Sequence, residues 1–421
     1  MSPTFRALRN PNYRLYATGG VISNTGTWMQ RVAQDWLVLH LHDSTITPSV
    51  ALGITTGLQF LPILLFSAYA GLVADRFPKR RMLQVTQLWL AASALLLGVL
   101  AVTGEARTWM VFALAFVFGC GAAFDAPARQ SFVSEMVGPD DLANAVGLNS
   151  ASFNLARLVG PAVAGLMIAA LGSGVQATGV VILLNGASYA AVILALQRMD
   201  EATLDSPDRP PRTPGMVRDG LRYVRSRPDI MLILAVVFFV GTFGMNFQMT
   251  SALMATRVYD KGAGEYGVLG TFLAVGSLTG ALLGARRIGR PRQKLVVVMA
   301  VVFGLVEVAA GLMPTYLTFA LTAPLLGLSV LTMINAANTS VQLSATPLMR
   351  GRVMALYMMI FQGGTPFGAP VVGWVGDAFG ARWTLVGGGL ITIAGTLVAA
   401  AIYLAAGRRR AAEAGLVAVR T

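Results

Sequence analysis

Charge is scarce in this chain. Of its 421 residues only 12% are Asp, Glu, Lys or Arg, where a soluble domain carries about a quarter. Apolar residues make up 55%. A water-soluble fold of this length lacks the polar side chains to cover itself, so its exterior must face an apolar solvent. Cysteine occurs once, at Cys120, which excludes a disulfide framework and a cysteine-based metal site. Histidine occurs twice, as His40 and His42 beside Asp43. A solvated loop accounts for that pair better than a metal site, whose other ligands would have to come from elsewhere. No G-x-x-x-x-G-K-[ST] segment is present, so ATP-driven chemistry is unsupported. No nucleophile–base pair stands out either, and neither an enzyme nor a cofactor is expected. Arg6, Arg9 and Arg14 precede the first apolar run and no A-x-A site follows it, so no cleavable leader is expected.

What the chain has in abundance is apolar length. Segments long enough to cross a bilayer predict twelve spans, at 14–41, 47–74, 82–103, 108–128, 143–171, 175–197, 229–256, 264–286, 293–313, 316–343, 352–378 and 382–406. Glycine, at 46 residues, sits inside these runs, as close helix packing in lipid demands. The net charge of +13 could signal nucleic-acid binding, but its distribution argues otherwise. With twelve spans both termini share one side. That side holds 26 of the 32 Lys and Arg. The opposite side holds Arg107, Arg257, Lys261 and Arg382, and Arg31 and Arg157 lie within spans. Basic residues mark the cytoplasmic face. Both termini are therefore expected in the cytoplasm of a multi-pass cell-membrane protein, with no nucleic acid involved.

Residues 198–228 interrupt the pattern with Asp200, Glu201, Asp205, Asp208, Pro207, Pro210, Pro211 and Pro214. This linker divides the chain into a six-helix bundle at 1–197 and another at 229–406, followed by a basic tail at 407–421. Within it Met216–Arg227 reads as a short amphipathic helix on the cytoplasmic surface. The halves look related. GLVADRFPKRRM (71–82) and GALLGARRIGRPRQK (280–294) occupy equivalent loops, and residues 144–165 and 352–373 share a small-residue run with a closing Gly. Parallel six-span repeats are a transporter architecture.

On these residues the chain resembles the major facilitator superfamily. The loop signature G-x-L-A-D-R-x-G-R-R matches Gly71, Ala74, Asp75, Arg76 and Arg80, with Pro78 in place of the second Gly and Lys79 in place of an Arg. The resemblance implies a cytoplasmic latch in which Asp75 sits at the start of the eleventh span; Arg80 and Arg81 read as topology anchors. The fifth-span antiporter signature matches at Gly147, Ala156, Gly160, Pro161, Ala164 and Gly165, two of its glycines being alanine here. Those residues read equally as a generic packing face. The fourth span carries Ala115 where many proton-driven drug antiporters carry an Arg. WMQRVAQDWLVL (28–39) and AFDAPARQSFVSEMV (123–137) look instead like the branch of enterobactin-type siderophore exporters and macrolide-efflux-like proteins.

An ionisable group inside a span costs at least about 2.5–3.5 kcal/mol at the centre, so each demands a reason. Asn24, Trp28, Arg31 and Asp35 form one stripe of the first span, with Gln30 and Gln34 beside it. Arg31 and Asp35 are spaced to pair. The pair reads either as a static ion pair or as a proton site whose filling releases Arg31 or a substrate. Arg157, a turn from Asn154, is expected to face a cavity and to meet an anionic group or an acid. Asp125 is expected to bridge to Arg76 or Lys79. Glu307, alone in the ninth span, reads either as a proton carrier or as a lipid-facing group. Asn246 and Gln362 are candidate cavity-lining groups. The expected function is a proton-coupled exporter of amphipathic drug-like or siderophore-like molecules, acting as a monomer in the bilayer. An importer or facilitator of the same fold and a non-transporting receptor are the alternatives.

Overall fold

The computed structural model describes residues 3–41, 45–204, 216–285 and 293–418. Every regular element among them is helical. The first half contains α1 (Pro11–His40), α2 (Pro48–Arg76), α3 (Lys79–Thr103), α4 (Thr108–Met136), α5 (Pro139–Ala170) and α6 (Val175–Gln197). After α7 (Met216–Ser226), the expected amphipathic helix, come α8 (Pro228–Phe239), α9 (Phe247–Leu253), α10 (Ala263–Ala285), α11 (Gln293–Gly311), α12 (Tyr316–Ser344), α13 (Pro347–Gly363), α14 (Thr365–Ala378) and α15 (Ala381–Ala418). Proline opens α1, α2, α5, α8 and α13, where its missing N–H has no helical acceptor to lose. Asn10 caps α1 by accepting from Tyr13 N at 3.1 Å. Gly104 ends α3 at φ 78°, a left-handed conformation that a side chain would strain.

Ten spans among the described residues are long and apolar enough by composition to cross a membrane. The other two expected spans are α1 and the α13–α14 pair. The first falls short through its polar stripe. The second is broken, into helices of 17 and 14 residues that meet at Gly364. With both included, the expected twelve crossings are reached.

Two expected spans are not single helices. The seventh runs through α8 into a π-turn at Val240–Gly244, breaks at Met245–Asn246, resumes as α9 and ends in a second π-turn at Met254–Val258. Gly241 and Gly244 make the wide turn sterically possible. Asn246 then donates its Nδ2 to the carbonyls of Thr242 at 2.9 Å and Phe243 at 3.3 Å, satisfying groups that the wide turn exposes. The break in the eleventh span presses on the same turn: a Cβ at Gly364 or Gly368 would collide with Thr242. The last span continues as helix through the basic tail to Ala418.

The chain sorts into two compact units. One comprises Met1–Pro211, Gln248–Ala274 and Ala369–Ala381; the other comprises Arg212–Phe247, Val275–Gly368 and Arg382–Thr421. In the first unit α1 packs on α5 and α6, α2 on α4, and α3 on α6. Tyr13, Tyr16, Leu83, Phe132, Met136 and Leu196 build a buried cluster near the basic loops. Ion pairs fasten those loops: Arg6 to Asp141, Lys79 to Glu135 and Arg80 to Glu201. Arg80 also donates to the carbonyls of Leu196 and Gln197. It clamps the end of α6, a closer engagement than a surface anchor makes.

Candidate functional site

Asp35 sits on α1 with 8% of its surface exposed. Its expected partner was Arg31, and that ion pair does not form. The Tyr266 hydroxyl, on α10, donates to Asp35 Oδ2 at 2.7 Å, with a longer approach of 3.3 Å to the Gln248 carbonyl. Trp36 stacks on Tyr266, with centroids 6.3 Å apart, and donates its indole N–H to the Ser173 carbonyl at 3.0 Å. His40 lies against Trp36 at 4.5 Å, its Nδ1 2.9 Å from the Trp36 carbonyl. His42 and Asp43 lie outside the described residues. The carboxylate is thus walled by aromatic rings and tied to a helix 231 residues away.

Arg31 turns toward Trp28 instead. Its guanidinium carbon stands 4.7 Å from the Trp28 ring centroid and 5.8 Å from that of Phe60 on α2. Arg157, on α5, approaches the same indole at 5.6 Å. Phe153 meets Trp28 edge-on at 5.7 Å. The two guanidinium carbons are therefore no more than about 10 Å apart, both drawn to the indole's π-face. Neither arginine has a carboxylate within ion-pair distance among the described residues. Two like charges thus share one aromatic ring in a membrane-spanning bundle, a costly placement that marks them as the first unit's candidate ligand-facing groups.

Close helix approach makes this geometry possible. A Cβ at Gly160 would stand 2.6 Å from the Trp28 Cβ, so only glycine lets α5 lie against α1 here. A Cβ at Gly267 would meet Gly165 Cα at 3.0 Å and would also collide with the Pro161 carbonyl, so the same run of α5 packs on α10. Ala156 is buried on α5, whereas Gly147 has nothing within 4 Å of a Cβ position. The inner part of the fifth-span signature is thus a contact surface for α1 and α10.

The remaining candidates scatter. Asn24 is half-buried on α1. Asn154 returns its amide to the Ser150 carbonyl of its own helix at 2.8 Å. Gln30 accepts from Asn185 of α6, and Gln34 donates to Gln59 of α2 at 3.4 Å. Asn246, buried, and Gln362, half-buried, belong to the second unit.

The loop motif is differently arranged than expected. Asp125 does not reach Arg76 or Lys79. Its Oδ2 accepts from Arg129, one turn on, at 2.9 Å, and its Oδ1 accepts from Thr86 and Gln87 of α3, each at 2.8 Å. Three donors within one turn of α4 and the facing α3 leave the carboxylate nothing to gain from a loop. Lys79 is taken by Glu135, Arg76 is exposed and Gly71 is half-buried with open space around it. The side chain of Asp75 lies outside the described residues.

Tyr266, Phe60 and Gln59 carried no sequence signal for a site. They are ordinary span residues whose importance comes from what stands opposite them.

The fold and these sequences are matched in known proteins. The family described as "Transmembrane secretion effector" matches residues 2–416. The multidrug efflux pump Tap of Mycolicibacterium fortuitum is 28% identical over 375 residues, covering 86% of this chain and 89% of that protein. Macrolide efflux protein A of Streptococcus pyogenes is 23% identical over 367 residues, covering 86% and 89%. Among solved structures, a bacterial homologue of the human lysosomal transporter Spinster, inward-facing and unoccupied, superposes with a TM-score of 0.69 at 17% identity, covering 97% of this chain and 98% of that one. That likeness establishes the fold. The chain belongs to the transmembrane secretion effector family, within the major facilitator superfamily of multi-pass membrane transporters.

Proposed function

We propose that the chain is a proton-coupled exporter of amphipathic small molecules, working as a monomer by alternating access with both termini in the cytoplasm. The observation that carries this reading is the buried Asp35 carboxyl, held by Tyr266 and set one helical turn from an arginine that it does not bind. Trp28, Phe60 and Phe153 supply apolar area to a substrate, and Arg31 and Arg157 supply donors to its acceptor groups. Export against a proton gradient requires proton and substrate to exclude each other, so that each crossing carries one of them. Asp35 meets that requirement if a proton and a polar group of the substrate compete for its oxygens. Proton uptake also removes the charge to which Tyr266 donates, and a hydrogen bond to a charged group is worth more than one to a neutral group. The tie between α1 and α10 then weakens as the proton binds. Efflux relatives at 28% and 23% identity support export over import.

The test is transport in proteoliposomes with an imposed pH gradient and radiolabelled erythromycin as probe. Gradient-driven erythromycin movement, with proton flux that depends on erythromycin, is expected. Asp35→Asn should abolish gradient-driven movement while leaving expression and erythromycin binding in place; efflux unchanged across a pH range rejects the carrier role of Asp35. For the loop motif we propose a latch at Asp75, which stabilises the outward-facing state. Asp75→Ala should shift accessibility labelling toward the inward-facing pattern, and identical labelling would reject it.

A further inference from the structure

The second unit contains an acid that the exporter reading does not use. Glu307 lies on α11, 2% exposed, so it does not face lipid. Its carboxyl occupies a slot between two glycines. A Cβ at Gly244, on the π-turn of the seventh span, would come 3.2 Å from Oε2; a Cβ at Gly388, on α15, would come 3.2 Å from Oε1. The slot exists because both positions lack a side chain. Oε2 is buried with no hydrogen-bond partner, and so are Thr242 Oγ1 and Asn246 Oδ1 on the same broken span. Thr392 and Thr396 follow Gly388 at i+4 and i+8 on one stripe of α15. Their hydroxyls are unpartnered as well.

No charge balances this carboxyl among the described residues. α12 carries no Asp, Glu, Lys or Arg. On α8 the acid Asp229 is paired with Arg227 at 2.6 Å and lies fifteen residues before Gly244, about 22 Å along the chain axis. The π-turn itself has no ionisable group. On α15, Arg382 lies six residues before Gly388, about 9 Å away along the helix. It is committed to the carbonyls of Gly311 at 3.0 Å and Met313 at 2.7 Å. Tyr403 is fifteen residues beyond Gly388, and Lys294 is thirteen before Glu307 on its own helix, each about 20 Å off.

We propose that Glu307 is a proton-exchange site and that its protonation state governs the broken seventh span packed against it. As a carboxylic acid it fits the slot without net charge. When the proton leaves, the carboxylate has lost its hydration with no cation to replace it. The nearest element able to yield is the π-turn at Val240–Gly244, whose wide hydrogen-bonding pattern can revert to an ordinary helical one. A change there turns Asn246 and Phe247 about the helix axis. That links one proton to the conformation of the seventh span. The coupling consequence rests on the exporter reading; the site does not.

Infrared difference spectroscopy of the full chain in nanodiscs tests the site without a substrate. A protonated carboxyl band that disappears on raising pH, and is absent in Glu307→Gln, is expected. A band that is invariant at every pH, or a pH-dependent band that persists in Glu307→Gln, overturns the proposal, as does a change that follows sodium and not pH. Carbodiimide modification of the wild-type chain, mapped to Glu307 by mass spectrometry and falling as pH rises, reads the same proton if the variant does not fold; labelling independent of pH counts against it. In proteoliposomes Glu307→Gln should keep erythromycin counterflow and lose part of the gradient-driven accumulation. Failure of erythromycin transport by the wild type strikes the exporter reading alone and leaves the infrared result standing.

Discussion

Two arginine clusters in the first unit are built on opposite principles. Near the basic loops, Arg129 sits one turn from Asp125, and that carboxylate accepts from Arg129, Thr86 and Gln87. Charge there is matched by charge and by hydrogen bonds within a single α3–α4 contact. Around Trp28, Arg31 and Arg157 share one indole and no acid. A matched cluster of this kind holds helices together and has nothing left to offer. An unmatched one has only aromatic faces to hold it. The proposed substrate contact falls on the second cluster, and the two can be told apart by mutation.

The largest effect should come from breaking the matched cluster. Arg129→Ala leaves Asp125 buried without its cation, and removing one partner of a buried pair costs about 3–5 kcal/mol. Thermal unfolding of the detergent-purified protein should drop accordingly. Arg31→Ala should leave the unfolding temperature unchanged or raise it, because relief of a desolvated charge offsets the loss of its cation–π contacts with Trp28 and Phe60. Erythromycin binding should weaken by about tenfold in that variant, the equivalent of roughly 1.4 kcal/mol. Equal destabilisation by the two substitutions would erase the distinction between the clusters.

A smaller effect is expected from the packing that sets the unmatched cluster. Gly160→Leu pushes a side chain into the Trp28 Cβ and forces α5 from α1. Overpacking of this kind costs about 1–3 kcal/mol. Transport should fall further than stability, because Arg157 moves away from the indole. Gly147→Leu, where a Cβ meets open space, should change neither. This pair of variants separates the inner part of the fifth-span signature from its outer end.

Much of the fold could be read from the sequence because its determinants are local. Apolar run length and the positions of Lys and Arg depend only on neighbours along the chain, and they lead to twelve spans. The pairing of Asp125 with Arg129 was also legible, since i, i+4 spacing on one helix is a local signal; proximity to the basic loop pointed elsewhere. The partner of Asp35 was not legible. Tyr266 looks like any span-end tyrosine until α10 is laid beside α1, and i, i+4 spacing favoured Arg31 for the wrong reason, because Arg31 had an aromatic ring to lie on. The break in the seventh span was hidden as well. Its residues are mostly apolar, and hydropathy does not register a hydrogen-bond pattern that slips by one residue at Gly241–Gly244. Glu307 shows the same limit: the sequence marked it as an anomaly, and only the glycines on two other helices reveal the slot that holds it.

The smallest predicted effect is also the most informative about Asp35. Tyr266→Phe removes one hydroxyl and keeps the ring that stacks on Trp36. A hydrogen bond to a charged group contributes about 1.5–3 kcal/mol, less here because the side-chain amide of Gln248 also donates to the carboxylate. α10 should stay packed on α5 through Gly165 and Gly267, so stability should change little. What should change is the ease of protonating Asp35. The hydroxyl stabilises the ionised carboxylate, and without it the proton is bound more readily and released less readily. Gradient-driven erythromycin transport should therefore reach its maximum at higher pH in Tyr266→Phe than in the wild type. A pH profile that does not move would mean that Asp35 and Tyr266 are a structural pair like Asp125 and Arg129, and the two regions would then differ only in their arginines.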